Sequence, residues 1–402
     1  MKTLLLSMGL LLGFILNAQT NFQNQFTSSD DTLIIQTTKM KGDRGFPHMF
    51  GLIHSTDTGE MEGALKSGII FPEGINEIGV DFMTINFKPF KFYEPNREIK
   101  YQSDFNKMEN LVPVLKGVKN GQDIFIIDQN RNKDFRDDTI RYFTHLDQIV
   151  NNEGIPIKYS IDTDRQSYEE ISWIQVGIAQ NRKMISNYQH EQTTVYIDSE
   201  SFDIRIVDFQ PGSFEYFDPK LILLGQSGIE KDTILMRDLL KVDDYVKLGK
   251  HYYQFDGFYA GSHTLVLVKT PDFENKVGVQ VGIQAPQFSF KNLNGDTIES
   301  SKFQGGYLLI ANVSGCSPSS YTEYSNLLES TKDLGIIGLE YENSSGPQSL
   351  IDVAEDENQD LYKLFRNAYS SYDCYIIDKE GLIADKFSLF EWREYLGEFI
   401  KK

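Results

Sequence analysis

The stretch YLLIANVSGCSPSSYTEY, residues 307–324, decides the fold of the last third of this chain. Its run from Tyr307 to Val313, apolar except for Asn312, predicts a buried strand, because a short apolar run bounded by turn residues is typical of a strand covered on both faces. Ser314-Gly315 then indicates a turn, and Pro318 suits the first position of a helix. Cys316, one of two cysteines in 402 residues, is therefore expected between a strand and a helix.

Strands and helices continue to alternate after this stretch, which predicts a βαβ unit and a partly parallel sheet. The sequence predicts a helix over 318–334, a strand over 335–342, a helix over 351–367, a strand over 372–378, a hairpin at 379–381, a strand over 382–387 and a closing helix over 390–402.

The chain before residue 277 has a different pattern. Short runs of β-branched and aromatic residues alternate with polar turns, which favours a sandwich-like or barrel-like β region, and one or two short windows, such as 232–241, look helical. The predicted fold class is therefore α+β multidomain. We expect a β-rich amino-terminal region over 28–276, with two sub-domains at about 28–150 and 151–276, followed by an α/β domain over 277–402.

The first residues predict export. A basic residue, Lys2, precedes an apolar run from Leu4 to Leu16, and a small residue, Ala18, follows it, as in a secretory signal peptide cleaved near Ala18. A membrane anchor is the competing interpretation, but a spanning helix needs about 20 apolar residues and this run is shorter. We expect a periplasmic or extracellular protein whose mature chain has no transmembrane segment.

Charge and motif content exclude several classes of function. A formal net charge of −19, from 58 acidic and 39 basic residues, repels phosphate backbones, so nucleic acid is a poor partner. The six histidines have no zinc-ligand spacing, and the sequence contains no hydrolase elbow or phosphate loop. The acidic pairs Glu169-Glu170 and Asp243-Asp244 are expected to be solvated.

One acidic loop, DQNRNKDFRDD over 128–138, is a candidate calcium site, because it repeats oxygen-bearing side chains at alternate positions as calcium loops do. Lys133 stands where such loops have glycine, and Thr139 occupies the twelfth position, where they have glutamate. A solvated hairpin tip is the alternative interpretation. The candidate ligands are Asp128, Asn130, Asn132, Asp134 and Asp138.

Four motifs in the last 120 residues carry a resemblance to a known family. They are Gly282-x-x-Ala285-Pro286-x-Phe288, Asn294-Gly295 with Phe303-x-Gly305, Cys316 after the first core strand, and Tyr375 to Gly381. Together they resemble the thioredoxin-like superfamily, in particular its exported TlpA/ResA-like or redoxin branch. The resemblance implies a thioredoxin-like domain over 277–402 and covers about a third of the chain.

The family motif Cys-x-x-Cys is degenerate here, since Ser319 replaces the second cysteine. The resemblance implies that Cys316 is a nucleophile, and a sulfur at a helix start is favoured as thiolate by the helix dipole. Ser319 could donate a hydrogen bond to it. Cys374 aligns two positions beyond the family's cis-proline, which Tyr372 replaces, and is the candidate resolving thiol.

Each of these roles has an alternative. Cys374 lies in an apolar strand, where a cysteine often serves as a small hydrophobe. Cys316 could be a relic in a domain now used for binding. A peroxidase is disfavoured, because Leu309 and Val313 stand where peroxiredoxins carry proline and threonine.

The sequence thus supports two hypotheses. The first is an exported thiol–disulfide oxidoreductase-like protein that acts on protein or small-molecule thiols and disulfides and requires no cofactor. The second is a non-catalytic thioredoxin-fold binding protein, with a β domain that calcium stabilises. Whether the chain is an enzyme and which oligomeric state it adopts stay open at this stage.

Overall fold

The computed structural model of this chain describes residues 27–29, 31–42, 51–52, 67–84, 91–93, 111–145, 154–163, 165–179, 182–208, 216–226, 228–230, 234–291, 297–313, 318–331, 334–340, 350–352, 364–365 and 373–397. Strands dominate these residues. They form two compact units: the first contains the described residues up to Pro219 together with 225–228 and 256–268, and the second contains 220–224, 229–255 and the described residues from 269 onward. The predicted signal peptide and the Asn294-Gly295 turn lie outside the described residues.

The described part of the first unit is built from strands, as the β-rich composition predicts. Its strands are β1 (Thr27–Ser29), β2 (Thr32–Gln36), β3 (Thr38–Lys41), β4 (Gly51–Leu52), β5 (Asn76–Thr84), β6 (Leu111–Lys119), β7 (Gln122–Ile127), β8 (Arg141–Tyr142), β9 (Ile155–Asp162), β10 (Ser167–Ala179), β11 (Arg182–Asn187), β12 (Gln189–Ile197) and β13 (Glu200–Asp208). The strands β14 (Pro219–Gln226), β17 (His251–Tyr259) and β18 (Thr264–Thr270) have residues in both units.

Antiparallel pairing organises this unit into several sheets. The orders are β4-β11-β10-β9 and β5-β6-β7-β8, while β12 pairs with both β3 and β13, and β2 pairs with β1 and β18. Two hairpins close with two-residue turns of positive φ, at Asn120-Gly121 and Asp198-Ser199. This geometry matches the right-handed twist of the paired strands.

The second unit contains a mixed sheet. Its elements are β15 (Ile229–Glu230), β16 (Tyr245–Leu248), β19 (Ser289–Lys291), β20 (Thr297–Glu299), β21 (Leu308–Val313), helix α1 (Pro318–Ser330), β22 (Gly335–Glu340), β23 (Leu350–Asp352), β24 (Asp373–Ile377), β25 (Ile383–Ser388) and helix α2 (Trp392–Tyr395), with 3-10 turns at Met236–Asp238, Phe273–Asn275, Ser300–Phe303 and Leu389–Glu391.

The mixed sheet has the order β23-β22-β21-β24-β25. The strand β21 is parallel to β22, with α1 between them in sequence, and antiparallel to β24, while β24 is antiparallel to β25. A βαβ unit followed by an antiparallel hairpin is the arrangement of a thioredoxin-like sheet. All six residues of β21 are buried, because both faces of the strand are covered.

Two predicted helices differ from the structure. The helix expected from Ile351 does not begin there, because Leu350–Asp352 pairs in parallel with β22 as an edge strand. In the described part of the helical window, 234–241, the structure has one 3-10 turn, since the backbone of Leu240 bonds with that of Leu221 (2.8 and 2.9 Å). Local helical propensity loses to backbone pairing in both segments.

The predicted closing helix lies partly outside the described residues, which end at Gly397. A capping box at Ser388 and Glu391 starts a 3-10 turn, and α2 follows over Trp392–Tyr395. In the described part of the chain no helix is both long enough and apolar enough to cross a membrane.

Candidate functional site

The candidate redox site belongs to the connection between β21 and α1. The strand ends at Val313 and the helix begins at Pro318, the first helical position that the sequence predicted. Cys316 lies between them in sequence, within 314–317, outside the described residues. Ser319, in the first turn of α1, is exposed, whereas the next residue, Ser320, is fully buried.

Helix α1 is fixed against the sheet on one face and tied to α2 on another. Tyr324 and Leu327 are fully buried in the cluster that contains Leu309 of β21. Glu323 accepts hydrogen bonds from Trp392 Nε1 (3.0 Å) and from the Arg393 guanidinium (2.6 Å). The hydrogen bond from Arg393 lowers the pKa of Glu323. The start of α1 therefore belongs to a well-anchored helix.

Cys374 lies inside the hydrophobic core. It is the partner of Ala311 in the β21–β24 ladder and is fully buried. Its cluster also contains Tyr324 and Leu327 of α1 and Phe387 of β25. Buried cysteines in apolar surroundings are poor nucleophiles, so Cys374 must become exposed before it can resolve a mixed disulfide. The pairing of Cys316 with Cys374 stays a prediction, because Cys316 is outside the described residues.

The acidic loop after β7 is organised by its own side chains. Asp128 is fully buried, and its two carboxylate oxygens accept the backbone N–H groups of Asn132 (3.1 Å) and Lys133 (2.9 Å). Asn130 Oδ1 also accepts from Asn132 N (3.1 Å), and Asn132 Oδ1 accepts from Asp134 N (2.7 Å). The carboxylate and amide oxygens of the loop thus act first as acceptors for the loop backbone.

Two further carboxylates in this loop differ in electrostatic environment. Both oxygens of Asp134 accept hydrogen bonds from the Arg136 guanidinium (2.8 and 2.6 Å), which lowers the pKa of Asp134 to about 2. Burial raises the pKa of Asp138 to about 6, against the opposing hydrogen bond from Gln129 N. Burial also raises the pKa of Asp128.

The backbone of this loop bears on the calcium prediction. Arg131 (φ 59°) and Lys133 (φ 64°) both adopt the left-handed conformation. Lys133 thereby provides the turn for which calcium loops use glycine, so the lack of glycine does not prevent the turn. In the residues that the structure describes, no group of three or more His, Cys, Asp or Glu side chains is arranged to hold a metal ion.

In each of the two acidic pairs that were expected to be solvated, one carboxylate is partly buried. The side chain of Glu170 is 19% exposed and bonds with Lys39 Nζ (2.6 Å) and His263 Nε2 (3.3 Å). Burial raises the pKa of Asp244, whose carboxylate accepts the N–H of Lys241 (2.9 Å). Strand alternation gave a signal for the first pair, since Glu169 and Glu170 must point to opposite faces of β10.

A cavity of about 270 Å³ lies within the second unit, beside the first residue of β21 and the β24–β25 turn. Since Val313 is the last residue of β21, the cavity is at the other end of this strand from the candidate redox connection. The polar side chains in its lining include those of Gln284, Gln287, Ser300, Asp378 and Lys379. Ser300 donates to Gln287 Oε1 (2.8 Å), and Gln284 donates to Gly381 O (2.8 Å).

Comparisons with known sequences give little that identifies this chain. No family model matches it. One curated protein, the ribosome maturation factor RimM of Alkaliphilus metalliredigens (strain QYMF), is 31% identical over 114 residues, which are 26% of this chain and 64% of that protein. The chain thus spans less than two thirds of that relative.

Solved structures match over about 30% of the chain and include thiol–disulfide oxidoreductases. The thioredoxin domain of such an enzyme from Bacteroides vulgatus is 16% identical to this chain, with a TM-score of 0.26. The match covers 31% of this chain and 99% of that domain. A thiol:disulfide interchange protein from Bacteroides sp. is 16% identical with TM-score 0.24, and the match covers 31% of this chain and 92% of that chain.

The exposed lipoprotein thioredoxin of Streptococcus pneumoniae is 14% identical with TM-score 0.23, over 29% of this chain and 98% of its own. Such low identities and TM-scores carry no argument about activity. What the structure itself shows is the order and the directions of the strands in the mixed sheet.

Proposed function

We propose that this protein is an exported, TlpA-like thiol–disulfide oxidoreductase-like protein that uses Cys316 as a single nucleophile. One observation supports the proposal above the others: a fully buried strand, β21, ends at Val313, and a 13-residue helix begins five positions later in sequence, at Pro318. In a thioredoxin-like sheet this connection carries the reactive cysteine. Export, with cleavage near Ala18, and a thioredoxin-like domain over 277–402 are parts of the same proposal.

The proposed reaction needs two thiols. The Cys316 thiolate attacks one sulfur of a substrate disulfide, the substrate S–S bond breaks, and the other substrate sulfur leaves as a thiolate. Cys316 and the substrate are then joined by a mixed disulfide. Because Ser319 cannot act as a thiol, a second thiol, from an outside small molecule or protein, attacks the mixed disulfide and releases reduced Cys316. The sulfur of the outside thiol forms a new disulfide bond with the substrate sulfur, so the outside thiol is the reductant.

Alkylation across pH tests the nucleophile. We expect native protein to react at one thiol, with a midpoint below the pH of about 8.5 typical of free cysteine, because a helix start favours thiolate. Cys316→Ser should abolish this reaction and the formation of a mixed disulfide with a model disulfide. Mass spectrometry of the trapped protein measures both.

Cys374→Ser is the matched control, since it removes the other cysteine and should leave alkylation of Cys316 unchanged. A thiol at Cys316 that reacts only above pH about 8.5, or a mixed disulfide that survives Cys316→Ser, contradicts the proposed role.

The second candidate function is a non-catalytic binding protein in which calcium stabilises the loop 128–138. The observation that favours it is the left-handed backbone at Arg131 and Lys133, which turns the loop without glycine. Asp128, Asn130, Asn132, Asp134 and Asp138 would hold the ion, and calcium would supply a positive charge among these carboxylates.

Thermal unfolding with and without calcium tests this candidate. Millimolar calcium should raise the melting temperature, because an ion that binds only the folded state stabilises it by mass action. Asp134→Asn should reduce the increase, while magnesium at the same concentration is the control ion. An unchanged melting temperature at millimolar calcium argues against a calcium site.

A further inference from the structure

Four charged side chains from separate elements of the first unit meet in one cluster, which we name the His263 cluster: Lys39, Glu170, Glu191 and His263. His263 Nδ1 lies 3.0 Å from Glu191 Oε1, and its Nε2 lies 3.3 Å from Glu170 Oε1. Glu170 Oε2 lies 2.6 Å from Lys39 Nζ. With both histidine nitrogens facing carboxylates, the protonated ring donates two charge-assisted hydrogen bonds.

The cluster is poorly solvated. The side chain of Glu191 is fully buried, and those of Lys39 and Glu170 are 12% and 19% exposed. The remaining oxygen of Glu191 accepts a hydrogen bond from Thr37 Oγ1 (2.7 Å). Two cations balance two carboxylates, so loss of the histidine proton would leave a net negative charge around a buried Glu191, which is costly.

The cluster connects strands that belong to different sheets. Lys39 and Glu191 are direct partners across β3 and β12, whereas Glu170 lies on β10. His263 follows a 3-10 turn, Ala260–Ser262, between β17 and β18. Its ring is therefore a single group whose hydrogen bonds join this turn to β10 and β12.

The backbone of His263 and of the turn before it makes further hydrogen bonds. His263 has φ +47°, an uncommon conformation for this residue. Its carbonyl accepts from Thr37 N (2.8 Å), Thr37 Oγ1 (3.0 Å) and Gln36 Nε2 (2.9 Å). The neighbouring Gly261 N donates to Lys91 O (2.8 Å).

The segment 91–93 rests on this turn through further contacts. Tyr93 N donates to Ser262 Oγ (2.9 Å), and the Tyr93 ring lies 5.2 Å from that of Tyr259. The Phe92 ring lies 5.2 Å from that of Tyr168 on β10. A change in the turn would therefore reach segment 91–93.

We propose that the His263 cluster is a pH-sensitive latch, which holds the turn 260–263 against Thr37 and segment 91–93 while His263 is protonated and releases it when His263 loses its proton.

The electrostatics support a latch that is closed at neutral pH and opens as the pH rises. Burial alone lowers the pKa of His263, but the hydrogen bonds to Glu170 and Glu191 outweigh it and raise the pKa to about 9. Burial alone raises the pKa of Glu170, but its bonds with His263 and Lys39 lower it to about 2. Tyr159 on β9, with its ring 6.0 Å from Lys39 Nζ, is a further titratable group next to the cluster, and burial raises its pKa.

The direction of the pH effect follows from these values. The folded pKa of His263 lies above its ordinary value of about 6.5, so its stabilisation is complete below pH 6.5 and is lost as pH rises through 9. The folded pKa of Glu170 lies below its ordinary value, so its contribution is lost as pH falls from about 4.5 toward 2. The latch should hold best between these two ranges.

Hydrogen exchange followed by mass spectrometry tests the proposal on the full chain. Opening releases one proton, so the opening constant of the turn should rise by up to about tenfold per pH unit between 6.5 and 9, after correction for intrinsic exchange. The readout is a peptide that contains Gly261 and His263. His263→Gln, which keeps a polar side chain without the charge, should remove this extra pH dependence.

Two controls keep the result decisive. His251→Gln changes a histidine on β17 outside the cluster and should leave the pH dependence as in the wild type. If His263→Gln fails to fold, NMR titration of the wild-type imidazoles decides: one histidine should titrate well above pH 8. Exchange at the turn that follows only the intrinsic pH dependence, or no imidazole with a raised midpoint, overturns the latch.

Discussion

Phe387→Ala should lower the free energy of unfolding of the second unit by roughly 3–5 kcal/mol, the usual cost of deleting a buried phenylalanine ring. Phe387 is fully buried on β25, in the cluster that also contains Cys374 and Leu309. Its ring is stacked with that of Tyr395, at 5.4 Å between centroids and 4° between planes. The substitution would leave a cavity between the sheet and its helices.

Denaturant titration followed by tryptophan fluorescence can measure this loss in the unit concerned. The chain has two tryptophans, and Trp392 belongs to the same cluster as Phe387. In a Trp173→Phe background, Trp392 is the sole tryptophan, and excitation that tyrosine does not absorb makes it the reporter. The transition midpoint should move to lower denaturant with a similar slope.

Phe390→Ala is the matched control, because Phe390 is three residues away and 42% exposed. We expect it to change the free energy of unfolding by no more than about 0.5 kcal/mol. Equal effects of the two substitutions would mean that Phe387 is not in a close-packed core, and the two-sided burial of this sheet would need revision.

The sequence predicted those elements for which the hydrophobic pattern and the residues at the element's ends indicate the same structure. The run around Leu309, apolar except for Asn312, predicts a covered strand, and Pro318 marks a helix start, so β21 and α1 begin within one residue of expectation. The closing hairpin was equally clear, since Lys379-Glu380-Gly381 provides the turn between β24 and β25. These features depend on neighbours in sequence, which periodicity and turn chemistry detect.

Features that depend on distant residues could not be predicted in this way. His263 and Glu170 are 93 residues apart, so neither suggested the other, and Glu170 was expected to be solvated. The edge strand at Leu350–Asp352 is set by its parallel partner β22, and local sequence does not encode that partner. The burial of Cys374 beneath α1 follows from which face of β24 the helix covers, a tertiary choice.

Asp128→Ala should be the most damaging substitution in the acidic loop, with a loss of roughly 2–4 kcal/mol in the free energy of unfolding. Its fully buried carboxylate accepts the N–H groups of Asn132 and Lys133. Each hydrogen bond to a charged group is worth about 1.5–3 kcal/mol, and the cost of burying the carboxylate offsets part of the sum. Without Asp128, the backbone N–H of Lys133 loses the acceptor that it has in its left-handed conformation.

Measurement in a chelator separates this structural role from calcium binding. Unfolding of Asp128→Ala is followed in excess EDTA and then at millimolar calcium. Asp137→Ala is the matched control: Asp137 is exposed in the same loop, and its Oδ2 accepts from the side-chain amides of Asn130 and Asn132. We expect that control to lose less than about 1 kcal/mol, as for exposed polar contacts.

If Asp128→Ala is destabilised in EDTA as strongly as predicted, the carboxylate organises the loop by itself, and any calcium effect must appear on top of that loss. If Asp128→Ala matches wild type in EDTA and differs only with calcium, its oxygens serve the ion rather than the backbone. In that case the hydrogen bonds to Asn132 and Lys133 contribute little to stability. The two outcomes assign the loop to a structural turn or to a metal site, which the alternating acidic pattern alone does not distinguish.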